Sequence, residues 1–153
     1  MKYSKLQDKF FEDGRVVNSG VIIFNKGKIL LVERIDKKHW EIPGGKVKII
    51  DKGKTKKETL KNAAIREVLE EVNIKPKILH YSPFYIEFTT PDKVKRRSYN
   101  FIGLSSKSPK ITEKEVFSKA KYIAVKDLEK YNIAPNVKTL VEVFKTCLFR
   151  YKF

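Results

Sequence analysis

The sequence predicts an α/β protein in which helices pack on both faces of a mixed, partly antiparallel sheet. Three observations predict it. β-Branched and aliphatic runs fill the segment from residue 14 to 35, a helical repeat occupies 58–72, and a second group of strand-like runs ends in another helical stretch. Strands, helix, strands, helix is the order that places helices on two sides of one sheet. At 153 residues the chain fits a single domain, 1–153, with room for one core.

Residues 1–14 read as an N-terminal extension. "GRVVNSGVIIF" and "GKILLVERI" are strands joined across the turn "NKG". After the Gly-bearing "WEIPGGKV", residues 46–57 read "KVKIIDKGKTKK", six lysines and one aspartate, which predicts a mobile, exposed loop. From Glu58 to Val72 the apolar residues Ile65, Val68, Leu69 and Val72 fall at i, i+3, i+4 and i+7, predicting a helix with that stripe buried. "KPKILHYSPFYIEFTT" and "RRSYNFIGLSS" flank the basic turn "PDKVKR", "KYIAV" adds a short strand, and helical periodicity returns from Asn136. No internal repeat or linker-like composition break interrupts this order.

Lys and Arg number 34 against 18 Asp and Glu, a formal charge of +16. Such a surface attracts nucleotides, nucleic acid or acidic lipid, although compositional bias or thermal adaptation also produces lysine-rich surfaces. Cys147 is the single cysteine, so no intrachain disulfide forms and no cysteine-based zinc site is spelled out. The N-terminal residues lack the apolar stretch of a signal peptide, and no run reaches membrane-spanning length. A cytoplasmic protein without a membrane partner is expected.

The stretch "IREVLEEVNI" concentrates Glu67, Glu70 and Glu71 in this basic chain. On a helix the three span an arc of roughly 100°, centred nearly opposite the predicted stripe. Each like-charged pair costs the helix on the order of 0.2–0.5 kcal/mol, a sign that a divalent cation would reverse. Hard oxygen donors without cysteine or suitably spaced histidine favour Mg2+, or Mn2+, over zinc. His39 and His80 are isolated in sequence and read as structural or surface residues. Taken alone, the fragment is better explained as a solvated helix in which Arg66 pairs with Glu70 at i+4. Its neighbours favour the site. "PGG" at 43–45 offers backbone that approaches a metal or phosphate closely, and Asn73 suits the left-handed conformation that ends a helix.

At these residues the sequence resembles the Nudix hydrolases, the MutT-like nucleotide pyrophosphohydrolases. Their box is G-x5-E-x7-R-E-U-x-E-E-x-G-U, with U aliphatic, and Glu58, Arg66, Glu67, Val68, Glu70, Glu71 and Ile74 stand in its register. "LLVERIDKKHWEIPGGKV" is similar to the usual approach to the box, and the resemblance extends over roughly residues 16–148 as a pattern of strands and helices. The chain departs from the family twice. Twelve residues separate Gly45 from Glu58 where the family has five, an insertion of about seven within 46–57, and Asn73 replaces the motif glycine.

The resemblance implies a Nudix-type α/β/α sandwich and Mg2+-dependent cleavage of a diphosphate linkage in a nucleoside derivative. It implies that Glu67 and Glu71 are the principal metal ligands, Glu70 a ligand or the water-activating base, and Gly45 a ligand through its carbonyl. Arg66 then holds the carboxylates in place, and Glu58 and Asn73 shape the two ends of the helix. Some family members recruit the base from a later loop, where Glu113 and Glu115 are the candidates, with Glu115 carried forward.

For the substrate, Arg34 at a strand end is a phosphate contact or a solvated side chain. Trp40 either stacks on a base or packs beneath "IPGG". Tyr81, Phe84, Tyr85 and Phe88 either wall a base pocket or fill the core. "KVKRR" at 93–97, with the 46–57 loop, is basic enough for RNA. A small nucleotide ranks first, an RNA 5′ end second, and a non-catalytic nucleotide- or RNA-binding module third.

Overall fold

A computed structural model describes residues 1–79 and 83–148, the last five of these as backbone only. His80, Tyr81 and the Cys147 side chain lie outside the described residues.

The chain opens with two short strands, β1 (Lys2–Ser4) and β2 (Lys9–Glu12), and then the long β3 (Arg15–Asn25) and β4 (Lys28–Arg34). Lys26 and Gly27, both at positive φ, form the two-residue turn between β3 and β4, the backbone a tight hairpin demands. Next come β5 (His39–Glu41), β6 (Gly44–Lys46), a 3₁₀ turn at Ile49–Asp51, and helix α1 (Lys56–Val72). After β7 (Lys77–Ile78), β8 (Phe84–Thr89), β9 (Lys95–Leu104) and β10 (Phe117–Ala124), the described chain closes with α2 (Pro135–Leu148).

The sheet is mixed: β3 runs parallel to β9 from Val16 to Phe24, while the other pairings are antiparallel. Residues 1–14 are no appendage, since β2 pairs with β3 and Phe10 is buried.

Strand alternation divides the interior in two. Val17, Val21, Leu30 and Val32 face α1, packing with Leu60, Ala63, Ala64 and Val68. Ile22, Phe24, Ile29 and Leu31 face the other way, packing with Val137, Leu140 and Val141 of α2. The aliphatic run of β4 is unbroken because both its faces are buried. The expected α/β/α sandwich is the fold.

Two local expectations need correction. The buried face of α1 is Leu60, Ala63, Ala64, Val68 and Val72; Ile65 is only partly covered and Leu69 is 45% exposed. Two alanines let the helix settle close to the sheet, and they turn the buried arc away from Leu69. Residues 46–57 are also not an exposed loop throughout. Val47 is fully buried and donates its N–H to the Val17 carbonyl, the 3₁₀ turn buries Asp51, and Thr55 caps α1 by accepting from the Glu58 N–H.

Candidate active site

The rotation of α1 decides the fate of each carboxylate. Measured from Val68, Glu71 lies about 60° round toward the alanines, Glu67 about 100° and Glu70 about 160°. Burial follows that order: Glu71 is 4% exposed, the Glu67 side chain 12% and that of Glu70 49%. The triad therefore straddles the edge of the buried face instead of standing opposite it.

Glu71 is enclosed beside β6, and its Oε2 is buried without a hydrogen-bond partner. Burial, then the charges of Glu67, Glu41 and Glu113, push its carboxyl up to about 9, against a backbone hydrogen bond from Gly44. Burial also raises Glu67, opposed by the adjacent Arg66. Gly45 faces Glu67 so closely that a Cβ there would sit 2.5 Å from the carboxyl carbon. Only glycine leaves that carboxylate its place.

Arg66 lies along the same face, with Nη1 2.9 Å from Glu67 and 3.1 Å from Glu70. The helix ends as expected. Asn73 is left-handed, with φ 56° and ψ 38°, and donates to the Leu69 carbonyl at 3.0 Å. At the other end the Glu58 carboxylate accepts from the Lys54 N–H at 3.1 Å, while Gly53 leaves no room for a Cβ beside it.

Gly44, Gly45, Glu67 and Glu71 form one wall of a cleft of about 800 Å³. Its floor is the α2-facing side of β3 and β9, and it changes character along its length. Ile22 and Ile102 are covered by the second core, whereas Asn18, Arg96, Ser98 and Asn100 line the open end. Arg34, Lys37, His39, Lys46 and Lys48 add positive or polar groups. Arg34 pairs with Asp36 at 2.7 Å and more loosely with Glu41 at 3.5 Å; His39 Nε2 is 2.9 Å from Glu41. Arg96 forms no ion pair among the described residues, and its Nη1 is 3.4 Å from Asn18 Oδ1. Burial, which disfavours the guanidinium, outweighs the pull of Asp92 and holds its pKa below the ordinary arginine value.

The structure redistributes the other candidates. Trp40 is 6% exposed, stands edge-on to Tyr131 at 5.6 Å, and belongs to the core beneath α2 instead of the cleft wall. Glu115 is exposed and away from the cleft; Glu113, two residues earlier, lines it, its carboxyl raised by burial and by the charge of Glu70. Among the described aromatics of β8, Phe88 reaches the cleft, Phe84 packs on the α2-side core, and Tyr85 points to the opposite face against Tyr99. Strand alternation likewise splits "KVKRR": Arg96 faces the cleft, and Arg97 faces away into Glu12, Asp13 and Glu87. Asp51, Asn18 and Asn100 belong to no motif legible in the sequence, and Arg96 stands there only within the basic run "KVKRR". Asp51 carried a signal, as the one acidic residue among six lysines.

The donors available to a cation are carboxylate and carbonyl oxygens, which suits Mg2+ or Mn2+. The orphaned Oε2 of Glu71, and a Gly45 without a Cβ that brings the Glu67 carboxylate against the backbone, fit such an ion. As they stand, Glu67 and Glu70 turn toward Arg66, and no three acidic, His or Cys side chains among the described residues are grouped as a finished cage.

The family model described as NUDIX domain matches residues 14–144. The chain belongs to the Nudix hydrolase family, a class of pyrophosphohydrolases. Solved structures share the fold. The Caenorhabditis elegans Ap4A hydrolase binary complex aligns with TM-score 0.70 and 20% identity over 89% of this chain and 99% of that one. The NUDIX domain of Shewanella oneidensis NrtR, complexed with ADP ribose, gives 0.69 and 18% over 95% and 94%. The MutT protein from Methanosarcina mazei Go1 gives 0.67 and 21% over 90% and 97%. Comparison with curated protein sequences gave no match. Among the described residues no helix is long and apolar enough to cross a membrane.

Proposed function

We infer that this chain is a cytoplasmic, Mg2+- or Mn2+-dependent hydrolase that cleaves the diphosphate linkage of a nucleoside diphosphate joined to a further group. The observation that carries the reading is Glu71, a buried carboxylate with an unpartnered oxygen, beside Glu67 at the wall of a cleft that Arg34, Lys48 and Arg96 also line. A buried acid in that condition is costly unless a cation completes it.

Glu71, Glu67, Glu70 and the Gly45 carbonyl would hold the ion, with Glu67 and Glu70 shared between it and Arg66. When bound, the ion neutralises charge on the phosphate oxygens. Arg66 keeps the carboxylates from spreading. Glu113, next to a segment that hydrogen-bonds the last turn of α1 and raised by its surroundings, is the candidate to take a proton from the attacking water. Arg34, Lys48 and Arg96 receive the phosphates, and the polar floor of Asn18, Ser98 and Asn100 meets the rest of the nucleotide. The neighbours' bound or named ligands, ADP ribose and Ap4A, are of this chemical type.

The test is a panel of nucleoside triphosphates, ADP-ribose, dinucleoside polyphosphates and 5′-triphosphate RNA with added Mg2+ or Mn2+, the products resolved as monophosphate, pyrophosphate or orthophosphate. Turnover of a nucleoside diphosphate derivative that requires Glu71 supports the reading. Absence of turnover across the panel, or turnover indifferent to Glu71→Gln, overturns it.

A further inference from the structure

We propose that Asp51, from the lysine-rich segment 46–57, is a positioning residue of the active site: it fixes Arg66, and through Arg66 the directions taken by Glu67 and Glu70. The proposal rests on the functional reading above. It gives the 3₁₀ turn at Ile49–Asp51 the part of a strut.

The spacing of the box is divided in this chain. Five residues separate Gly45 from Asp51, and seven separate Glu58 from Arg66, so one acidic residue keeps each half of the motif. The structure shows which of them meets the arginine. Asp51 takes Arg66 in a bidentate grip, Nε to Oδ1 at 2.7 Å and Nη2 to Oδ2 at 2.8 Å, while the Glu58 carboxylate accepts from the Lys54 N–H.

Arg66 has five N–H donors in a fixed planar fork. Two go to Asp51, one from Nη2 to the Lys46 carbonyl at 3.0 Å, and the two of Nη1 to Glu67 and Glu70. With Nε and Nη2 committed, the guanidinium plane is set and Nη1 alone addresses the carboxylates of α1. Asp51 is itself held: its side chain is 2% exposed, its Oδ2 accepts from the Lys48 N–H at 2.8 Å, and its carbonyl accepts from Asn62 at 3.1 Å. Without the Asp51 charge, the donors of Nε and Nη2 lose their partner within a half-buried site, and Arg66 turns its full charge on Glu67 and Glu70. An ion then competes with arginine for the same oxygens.

Asp51→Asn keeps the shape of the side chain and removes its charge. In the full chain it is expected to weaken Mn2+ binding, followed by electron paramagnetic resonance of free Mn2+, by about 10–100-fold, the range for groups that orient metal ligands. On the nucleotide identified by the panel kcat should fall with KM little changed. The loss should disappear in an Arg66→Gln background, and Asp51→Glu should restore much of it. A lowered melting temperature with wild-type Mn2+ affinity and kcat, or losses that add independently in Asp51→Asn/Arg66→Gln, would overturn the proposal. If Asp51→Asn does not fold, Asn62→Ala loosens the same turn and keeps the carboxylate; weaker Mn2+ binding supports the proposal, and unchanged binding with unchanged turnover refutes it. If the wild-type chain neither binds Mn2+ nor turns over any nucleotide, the functional reading has failed and takes this proposal with it. Normal wild-type behaviour beside a silent Asp51→Asn defeats this proposal alone.

Discussion

Gly45 and Glu67 stand so close that a methyl group on the glycine would lie 2.6 Å from one carboxylate oxygen and 2.7 Å from the other. The obstacle is the far end of a flexible side chain, so Gly45→Ala displaces Glu67 and leaves the backbone in place. Turnover and Mn2+ affinity are expected to fall by about 10–100-fold, with a near-native melting temperature. Gly20→Ala is the contrast. Its Cβ would sit 2.6 Å from the Pro43 carbonyl oxygen, backbone against backbone. That substitution is expected to cost about 1–3 kcal/mol of stability, the scale of an overpacked core. Thermal unfolding beside kinetics separates the two, and matching effects on both properties would contradict this account.

Glu71→Gln retains the size of the side chain and removes its capacity to carry charge. Because the carboxyl already sits where charge is disfavoured, the variant is expected to unfold at or slightly above the wild-type temperature while losing at least about a hundredfold in turnover, the upper end of the range for groups that support a metal site. Circular dichroism melts and steady-state kinetics check both halves. Turnover close to wild type would remove Glu71 from the site.

Arg96 and Arg97 are neighbours with opposite assignments. Arg96→Ala is expected to raise KM by roughly tenfold or more, the worth of a charge-assisted hydrogen bond to phosphate, with little change in stability. Arg97→Ala breaks contacts to Glu12, Asp13 and Glu87 on the other face. It should lower the melting temperature and leave KM alone. Exchange of these two phenotypes would mean that the faces of β9 have been misassigned.

Glu12 supplies a pH dependence away from the cleft. Burial raises its carboxyl, but hydrogen bonds from Lys56, Tyr99 and Arg97 outweigh it and lower the pKa to about 2. A carboxyl whose folded pKa lies below its unfolded value binds fewer protons in the folded state, so its contribution is complete above the ordinary value of 4.5 and disappears as pH falls toward about 2. Wild type is therefore expected to lose more stability than Glu12→Gln across that window. Urea unfolding of both proteins at a series of pH values measures it, and parallel curves would exclude Glu12 as the source.

Much of this arrangement was written in local patterns. β-Branched and aliphatic runs marked the long strands β3, β4 and β9, "NKG" marked the turn between β3 and β4, and Asn73 marked the end of α1, because each depends on neighbours in sequence. The buried face of α1 did not follow from its large aliphatics, because Ala63 and Ala64 bury little area themselves yet determine how closely the helix approaches the sheet. Trp40 and Glu115 were plausible contacts by residue type. The first was claimed by the core under α2, and the second ceded its place in the cleft to Glu113.

The sequence by itself determined the class of fold, the helix bearing three glutamates and the acidic chemistry they offer a divalent cation, because residue type and spacing along one element are enough for those. Only the tertiary structure decided which glutamate is buried, which arginine of a basic pair faces the cleft, and that Asp51 rather than Glu58 grips Arg66. Those outcomes depend on how separate elements rotate and pack against one another, and a shift of one residue on a strand or about 100° on a helix exchanges inside for outside.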